Sequence, residues 1–254
     1  LIWLETMNLL AFDTSTEVMS IGVSRVVDGV PRQWLHTSAG GAQASASLIA
    51  TVMDLLQQAG LTLAQLDAIC FGAGPGAFTG LRTACAVAQG LAFGADVPVL
   101  PVDTLLALAE EARHAALPEV PLCRVTALLD ARMDEMYAAT YDFADGQWSE
   151  VQGSHLVRPE DLVVARGAQA VQVLAGNVFT VYADRLASAE QNATTRITAL
   201  PTAAALLRLA PGLLAAGKAV TAAEALPLYI RDKVAKTTAE RMAEKAAAHA
   251  AAAQ

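Results

Sequence analysis

The stretch FGAGPGAFTGLR, from Phe71 to Arg82, constrains the fold more than any other part of the chain. It contains four glycines and Pro75, so the strand predicted from Asp67 to Phe71 must stop there in a tight turn. A helix is predicted directly afterwards, from Leu81 to Phe93. A strand, a glycine turn and a helix N-terminus point unpaired N–H groups at one place, which favours an anion site. Alternatively, the turn only packs the helix onto a sheet.

Composition excludes several classes of protein. The 254 residues suit one large or two small domains, and 54% of them are apolar, which is enough for a substantial core. No apolar run reaches the roughly 18 residues of a membrane span. A net charge of −8 argues against nucleic-acid binding by this chain without a partner. Three widely spaced cysteines are typical of reduced core residues in a cytoplasmic protein.

Alternating apolar and polar residues predict three strands near the start of the chain. The first covers Asn8 to Phe12, the second Glu17 to Arg25, and the third Pro31 to Ser38, with a hairpin at Asp28-Gly29. Helices and strands then alternate, beginning with a helix from about Ala46 to Ala59. The resulting order, βββαβαβα, is the pattern of an α/β, RNase H-like mixed sheet with helices on both faces.

The second half opens with a similar strand and hairpin, which suggests two related βββαβαβα-type subdomains, as in actin- or hexokinase-like proteins. The predicted division is an N-terminal subdomain at 7–117, a C-terminal subdomain at 118–232, and an Ala-rich tail at 233–254 that is helical or disordered. In the second half a helix is predicted to open at Pro159. Residues 1–6 lack the features of a signal peptide and are left out of the fold.

Candidate anion- or nucleotide-binding residues come from the first turn and from the glycine loop. Carboxylates can orient Mg²⁺ or water, and hydroxyls and backbone N–H groups can hold phosphate oxygens. The candidates are Asp13, Thr14, Ser15, Gly74, Gly76, Thr79 and Arg82. Asp-Thr-Ser-Thr is also ordinary turn chemistry. The matching second-half turn at Asp130 lacks glycine and hydroxyl residues, which argues against autonomous ATP hydrolysis. No metal-binding histidine pair or catalytic motif is present, so no catalytic or metal residue is predicted.

Two helices beside the glycine loop are candidates for a partner interface. The second repeats small residues at a spacing of four and has few polar residues after Arg82, which would allow close approach of another helix. Alternatively, this face packs on its own sheet. The predicted interface residues are Leu48, Val52, Leu55, Leu81, Ala84, Cys85, Ala88 and Ala92.

Several stretches together resemble the TsaB (YeaZ) family of the actin-like ATPase (ASKHA) superfamily. They are LLAFDTST at 9–16, GAGPGAFTGLR at 72–82, AQGLA at 88–92, DARMDEMY at 130–137 and PLYIR at 227–231. The glycine-loop motif is the most specific. Many members carry a histidine before the first partner helix, where this chain reads Gln43-Ala44-Ser45.

The resemblance implies a non-catalytic subunit that pairs with TsaD, the catalytic paralogue, and with the ATP-using TsaE. The complex transfers threonylcarbamoyl to N6 of adenosine in tRNAs that read codons starting with A. The resemblance also implies a homodimer when the chain is alone, contact with tRNA only through the complex, no membrane contact, and no tightly bound cofactor, with ATP or ADP and Mg²⁺ acting within the complex. Two alternatives remain open at this point: an ATPase or small-molecule kinase of the superfamily, and a peptidase.

Overall fold

The first half of the chain builds a mixed five-stranded sheet. The computed structural model describes residues 7–164, 171–186 and 195–231. The strands of the first sheet are β1 (Leu9–Asp13), β2 (Val18–Val27), β3 (Val30–Ala39), β4 (Ala68–Gly74) and β5 (Val99–Asp103). Their order is β3-β2-β1-β4-β5, with antiparallel pairing from β1 to β3 and parallel pairing from β1 to β5.

The second half repeats this topology. Its strands are β6 (Leu122–Arg132), β7 (Glu135–Ala144), β8 (Gln147–Val157), β9 (Val171–Gly176) and β10 (Thr195–Thr198). Their order, β10-β9-β6-β7-β8, matches that of the first sheet when β6 replaces β1 and β9 replaces β4. The pairing directions match as well. The prediction of two related mixed sheets is therefore confirmed, and the protein has the α/β ASKHA fold.

Local turn and cap chemistry fixes several boundaries where the sequence predicts them. Asp28-Gly29 and Asp145-Gly146 both have positive φ at both residues, as tight hairpin turns require. Gly60 ends the first helix in the left-handed conformation. The Asp103 carboxylate accepts hydrogen bonds from the backbone N–H groups of Leu105 and Leu106 and so caps the third helix.

In the part of the chain that the structure describes, four α-helices cover the two sheets. They are α1 (Ala42–Ala59), α2 (Phe78–Ala95), α3 (Thr104–Ala116) and α4 (Ala203–Ala215). The first two begin about four and three residues earlier than predicted, because neither is opened by a side-chain cap that the sequence would reveal. As a result Gln43-Ala44-Ser45 lies within α1 and not in a loop before it.

The helices pack across the boundary between the halves. Helices α1 and α2 cover one face of the first sheet, and α4, from the second half, covers the other face. Helix α3, from the first half, packs on the second sheet. Where α3 meets α4, the buried Glu110 carboxylate accepts hydrogen bonds from Arg208 at 2.8 Å and from Arg113 and Trp148. Each half therefore contributes a helix to the other half. The division into subdomains at residues 117 and 118 stays a prediction.

The second half differs from the first in its connections. In the described part of these connections, a short 3₁₀ turn at Pro159–Asp161 follows β8, and another at Ala183–Leu186 follows β9. The helix predicted to open at Pro159 is, in the described residues, this single 3₁₀ turn, and Leu162 directly after it is extended. The predictions for residues 1–6 and for the Ala-rich tail at 233–254 lie outside the described residues. No helix in the described part of the chain is long and apolar enough to span a membrane.

Candidate functional site

The glycine loop joins the end of β4 to the start of α2 and packs tightly on its surroundings. Gly74 has φ of 125°, and the peptide bond to Pro75 is cis. A Cβ on Gly74 would lie 2.5 Å from the carbonyl oxygen of Leu228, so only glycine allows the chain near the C-terminus to pass this closely. The Thr104 hydroxyl donates a hydrogen bond to the carbonyl oxygen of Pro75. The loop is thus held from both sides.

The loop and the turn between β1 and β2 form one packed unit. The backbone N–H of Ala77 donates to the carbonyl oxygen of Ser15 at 2.7 Å, and the Thr14 hydroxyl donates to the carbonyl oxygen of Gly80 at 2.8 Å. A side chain on Gly80 would overlap the carbonyl of Thr14. These contacts occupy two groups that a phosphate could use, since the Thr14 hydroxyl and the Ala77 N–H already have partners in the protein.

Asp13 is completely buried beneath this unit. One carboxylate oxygen, Oδ1, accepts hydrogen bonds from the Ser15 N–H at 2.9 Å and from the Ser15 hydroxyl at 2.8 Å. The other, Oδ2, has no partner among the described residues and lies against Gly72. Burial raises the pKa of Asp13 from 3.8 to about 6, and the two bonds from Ser15 offset part of this effect. The carboxylate is therefore costly to keep ionised at neutral pH.

The predicted anion-binding residues do not come together around one open space. Ser15 and Gly76 line the cleft between the two halves, whereas Asp13, Thr14 and Gly74 are buried. Thr79 lies in the first turn of α2, and its carbonyl accepts a hydrogen bond from Thr83. Arg82 follows in the next turn of α2, where its side chain contacts Phe78 and Tyr229.

Arg82 belongs to an aromatic cluster on the surface. Its guanidinium lies 3.9 Å from the centre of the Phe78 ring, and its Nε donates to the Tyr229 hydroxyl at 3.0 Å. The rings of Phe78 and Tyr229 are 5.4 Å apart. Stacking on Phe78 and the bond to Tyr229 give Arg82 a packing role, and its anion-binding role stays a prediction.

The cleft has a volume of about 460 Å³ and is walled by four segments. From the first half come the β1–β2 turn and the glycine loop; from the second half comes the β6–β7 turn; the fourth wall is residues 228–231. Clefts at the carboxyl ends of the strands are the usual place for ligands in sheets of this kind. The lining is mixed, with aromatic and aliphatic side chains beside Glu17, Asp130 and Arg132.

In the second-half turn, Asp130 occupies the position equivalent to Asp13, but its bonds are also local. Its Oδ1 accepts hydrogen bonds from the Arg132 N–H at 2.8 Å and the Tyr182 hydroxyl at 2.9 Å. Its own N–H donates to the Asn177 side chain. Both aspartates therefore stabilise turns, and the sequence signal of a carboxylate after a buried strand did not distinguish this role from ligand binding.

Sequence reasoning gave no role to the segment after α4, which the structure brings into the cleft. We call residues 219–231 the C-terminal strap. Within it, Leu228, Tyr229, Ile230 and Arg231 line the cleft. The motif PLYIR was noted only as part of the family resemblance. Its contacts join residues as far apart in sequence as Arg82 and Tyr229, which no local pattern indicates.

The predicted partner-interface residues turn out to be core residues. All eight are at most 5% exposed: Leu48, Val52, Leu55, Leu81, Ala84, Cys85, Ala88 and Ala92. Seven of them pack in the hydrophobic core between α1, α2 and the first sheet. The small-residue row of α2 therefore lets this helix approach its own sheet, and these side chains are not available to a partner.

The same two helices leave a different apolar face in solvent. Its large side chains are Ile49, Met53 and Phe93, which are 51%, 46% and 84% exposed. Ala86 and Gly90 of α2 are exposed too. Ile49 and Met53 are four residues apart and so lie on one side of α1. A helix pair with an exposed apolar face is a candidate protein–protein interface.

Among the described residues, no group of three or more His, Cys, Asp or Glu side chains could hold a metal ion. The described cysteines, Cys70, Cys85 and Cys123, are free and buried, and burial raises the pKa of each thiol. Raised thiol pKa values favour the unreactive, protonated form.

Comparisons with known proteins cover nearly the whole chain. The family model described as "TsaD: tRNA N6-adenosine threonylcarbamoyltransferase" matches residues 35–252. The "tRNA threonylcarbamoyladenosine biosynthesis protein TsaB" of Haemophilus influenzae is 34% identical over 91% of this chain and 96% of its own length. The protein of the same name from Escherichia coli is 32% identical over 90% and 96%. The solved structure of YeaZ from Pseudomonas aeruginosa is 38% identical, covers 88% of this chain and all of its own, and superposes with a TM-score of 0.77.

The identities to both TsaB proteins are above 30% and extend over about nine-tenths of this chain and 96% of each relative. The chain therefore belongs to the TsaB (YeaZ) family.

Proposed function

We propose that this protein is a non-catalytic subunit in the biosynthesis of threonylcarbamoyladenosine on tRNA, acting with TsaD and TsaE. The observation that carries the proposal is the full-length similarity to proteins named for this pathway. The cleft adds support. Its first turn uses its hydroxyls and its carboxylate internally, which argues for a structural role and against phosphate transfer by this chain.

The proposed partner surface is the exposed face of α1 and α2. Ile49, Met53 and Phe93 would pack on the homologous helix pair of TsaD, because exposed apolar side chains on paired helices are best buried by a second pair. Without TsaD, a second copy of the chain would cover the same face and form a homodimer. The proposed interface thus involves the two helices that the sequence indicated, α1 and α2, but through their exposed side chains and not through the buried ones.

The remaining expectations follow from this role. Other subunits of the complex would contact tRNA, because the net charge of −8 disfavours direct binding of tRNA by this chain. ATP or ADP and Mg²⁺ would act in the complex, with none held tightly here. We also propose a cytoplasmic location, where tRNA modification takes place and where the free cysteines stay reduced.

The test is reconstitution with purified TsaD, TsaE and the remaining components of the reaction, with and without this chain. Threonylcarbamoyladenosine should form in tRNA only when the chain is present. Ile49→Asp and Phe93→Asp should abolish co-purification with TsaD and dimerisation alone, as judged by light scattering, while circular dichroism stays unchanged. The matched control is Val181→Asp, at an apolar residue that is 58% exposed elsewhere on the molecule.

Three outcomes would contradict the proposal. Modification that proceeds equally well without the chain would remove the subunit role. Folded Ile49→Asp and Phe93→Asp proteins that still bind TsaD would remove the interface. Steady ATP turnover or peptide cleavage by the purified chain would favour one of the two enzymatic alternatives.

A further inference from the structure

The C-terminal strap is anchored first along the edge of the first sheet. Val220 exchanges two backbone hydrogen bonds with Val99 of β5, at 2.9 and 2.8 Å. Farther on, the buried carbonyl of Ala225 accepts hydrogen bonds from two side chains of α2, the Gln89 amide at 2.8 Å and the Cys85 thiol at 3.3 Å. This part of the strap is therefore integral to the first half.

The strap then passes over the glycine loop. The backbone N–H of Leu228 donates to the carbonyl oxygen of Ala73 at 2.7 Å, and the absence of a side chain at Gly74 makes room for it. Tyr229 next packs on Phe78 and accepts the hydrogen bond from Arg82. At this point the strap has become a wall of the cleft.

The last described residues cross to the second half. Ile230 packs on the core of the second sheet. The Arg231 guanidinium binds the Glu135 carboxylate at 2.7 Å and the carbonyl oxygen of Arg132 at 3.3 Å, and only 12% of its side chain is exposed. A single side chain thus makes most of the polar contacts that tie the strap to the second half.

The β6–β7 turn that Arg231 holds is conformationally strained. Arg132, Met133 and Asp134 are three consecutive residues other than glycine with φ of 60°, 56° and 61°. Such a conformation is uncommon for these residue types and persists only when surrounding contacts impose it. The guanidinium bonds to Arg132 and Glu135 supply part of this support, so releasing them would free both the turn and the strap.

We propose that the C-terminal strap holds the two halves in a closed orientation around the cleft through its residues 228–231. The Arg231–Glu135 ion pair is the end of the strap that can be released. The buried contacts between the halves, which are α4 on the first sheet, α3 on the second sheet and α3 against α4 around Glu110, would remain as the pivot. The Glu135 side chain is 35% exposed, so water can reach this ion pair, and this end can open while the anchors at Val220 and Ala225 on the first half stay in place. The inference does not depend on the proposed function.

The experiment measures the distance between the halves and the local opening of the strap. Spin labels at Thr37→Cys and Gln147→Cys, both exposed positions on different sheets, report the distance, and the three native cysteines are buried. Amide exchange of Leu228 reports the strap directly, because its N–H bonds to Ala73. The variants are Arg231→Ala and the conservative Glu135→Gln. The control is Arg124→Ala, which removes an equally short ion pair within the second sheet.

Both strap variants should give longer and broader label distances, and Leu228 should exchange about tenfold faster, which corresponds to about 1.4 kcal/mol of opening free energy. Arg124→Ala should change neither readout. Unchanged distances in both strap variants would overturn the proposal, and so would the same change in Arg124→Ala, since that would mean general loosening. If Arg231→Ala does not fold, Glu135→Gln decides the question alone, because it keeps the size of the side chain.

Discussion

A Cβ placed on Gly76 would lie 2.6 Å from both the Cβ and the carbonyl oxygen of Ser15. The φ of Gly76 is not positive, so backbone conformation is not what requires glycine here. What Gly76 provides is close approach between the glycine loop and the β1–β2 turn. A side chain at position 76 would collide with the backbone of Ser15. Ala77 donates a hydrogen bond to that backbone, so moving it aside would cost the hydrogen bond.

Gly76→Val should therefore destabilise the protein by about 1–3 kcal/mol, the usual cost of forcing atoms into a packed site. Urea unfolding followed by circular dichroism measures this change. Gly90→Ala is the matched control, since a Cβ there meets nothing within 4 Å and alanine favours the interior of a helix. A Gly76→Val protein with the stability of the wild type would show that the two turns can separate freely.

Asp13 should make stability depend on pH. Its pKa is about 6 in the folded protein and 3.8 when exposed, so the folded state binds more protons between these values. The free energy of unfolding that Asp13 contributes is fully present below pH 3.8, the pKa of the exposed carboxyl. It is lost as pH rises through about 6, the pKa in the folded protein. The shift corresponds to a total of about 3 kcal/mol.

Unfolding free energies measured at about pH 5 and about pH 8 test this dependence. Asp13→Asn should reduce the loss of stability between them, because an amide does not titrate. Ser15→Ala should move the midpoint upward, since the Ser15 bonds to Asp13 favour the ionised form. An Asp13→Asn profile that parallels the wild type would assign the pH dependence to other groups.

Ala88→Glu should destabilise the folded protein. The sequence pattern had placed Ala88 in a partner interface, where the same change would weaken association. Ala88 is fully buried in the core under α2, and an unpaired carboxylate there should cost several kcal/mol of folding free energy. Ala86→Glu, two residues earlier on the exposed side, should leave the melting temperature nearly unchanged. Thermal unfolding of both variants separates the two faces of α2. Equal stability of the two would mean that α2 is rotated relative to this structure.

The isolated chain should bind ATP weakly and should not hydrolyse it. The reason is that Ser15 donates to Asp13 and Thr14 donates to Gly80, and the turn at Asp130 is not rich in hydroxyls that could hold a phosphate from the other side. Calorimetry measures binding, and phosphate release measures hydrolysis. A steady rate that disappears in Asp13→Ala would show that the turn rearranges to bind the nucleotide.

Much of the fold could be read from local patterns in the sequence. Alternation predicts the first three strands, Asp-Gly pairs mark both hairpins, and Gly60 and Asp103 mark helix ends, because each signal acts within a few residues. The repeat of strand and hairpin predicts the second sheet. The helix starts were placed too late because Gly41 and Ala77 provide no side-chain cap.

The sequence by itself therefore determined the strands, the hairpins, the doubled sheet topology and, through its motifs, the family. Tertiary structure alone decided which face of α2 is buried, because a helix that is apolar nearly all round carries no signal of where its own sheet lies. It also decided that α3 and α4 cross between the halves, and that Arg231 meets Glu135, 96 residues earlier in the chain. Such contacts depend on how whole elements pack, and side chains far apart in sequence acquire their partners only when that packing is complete.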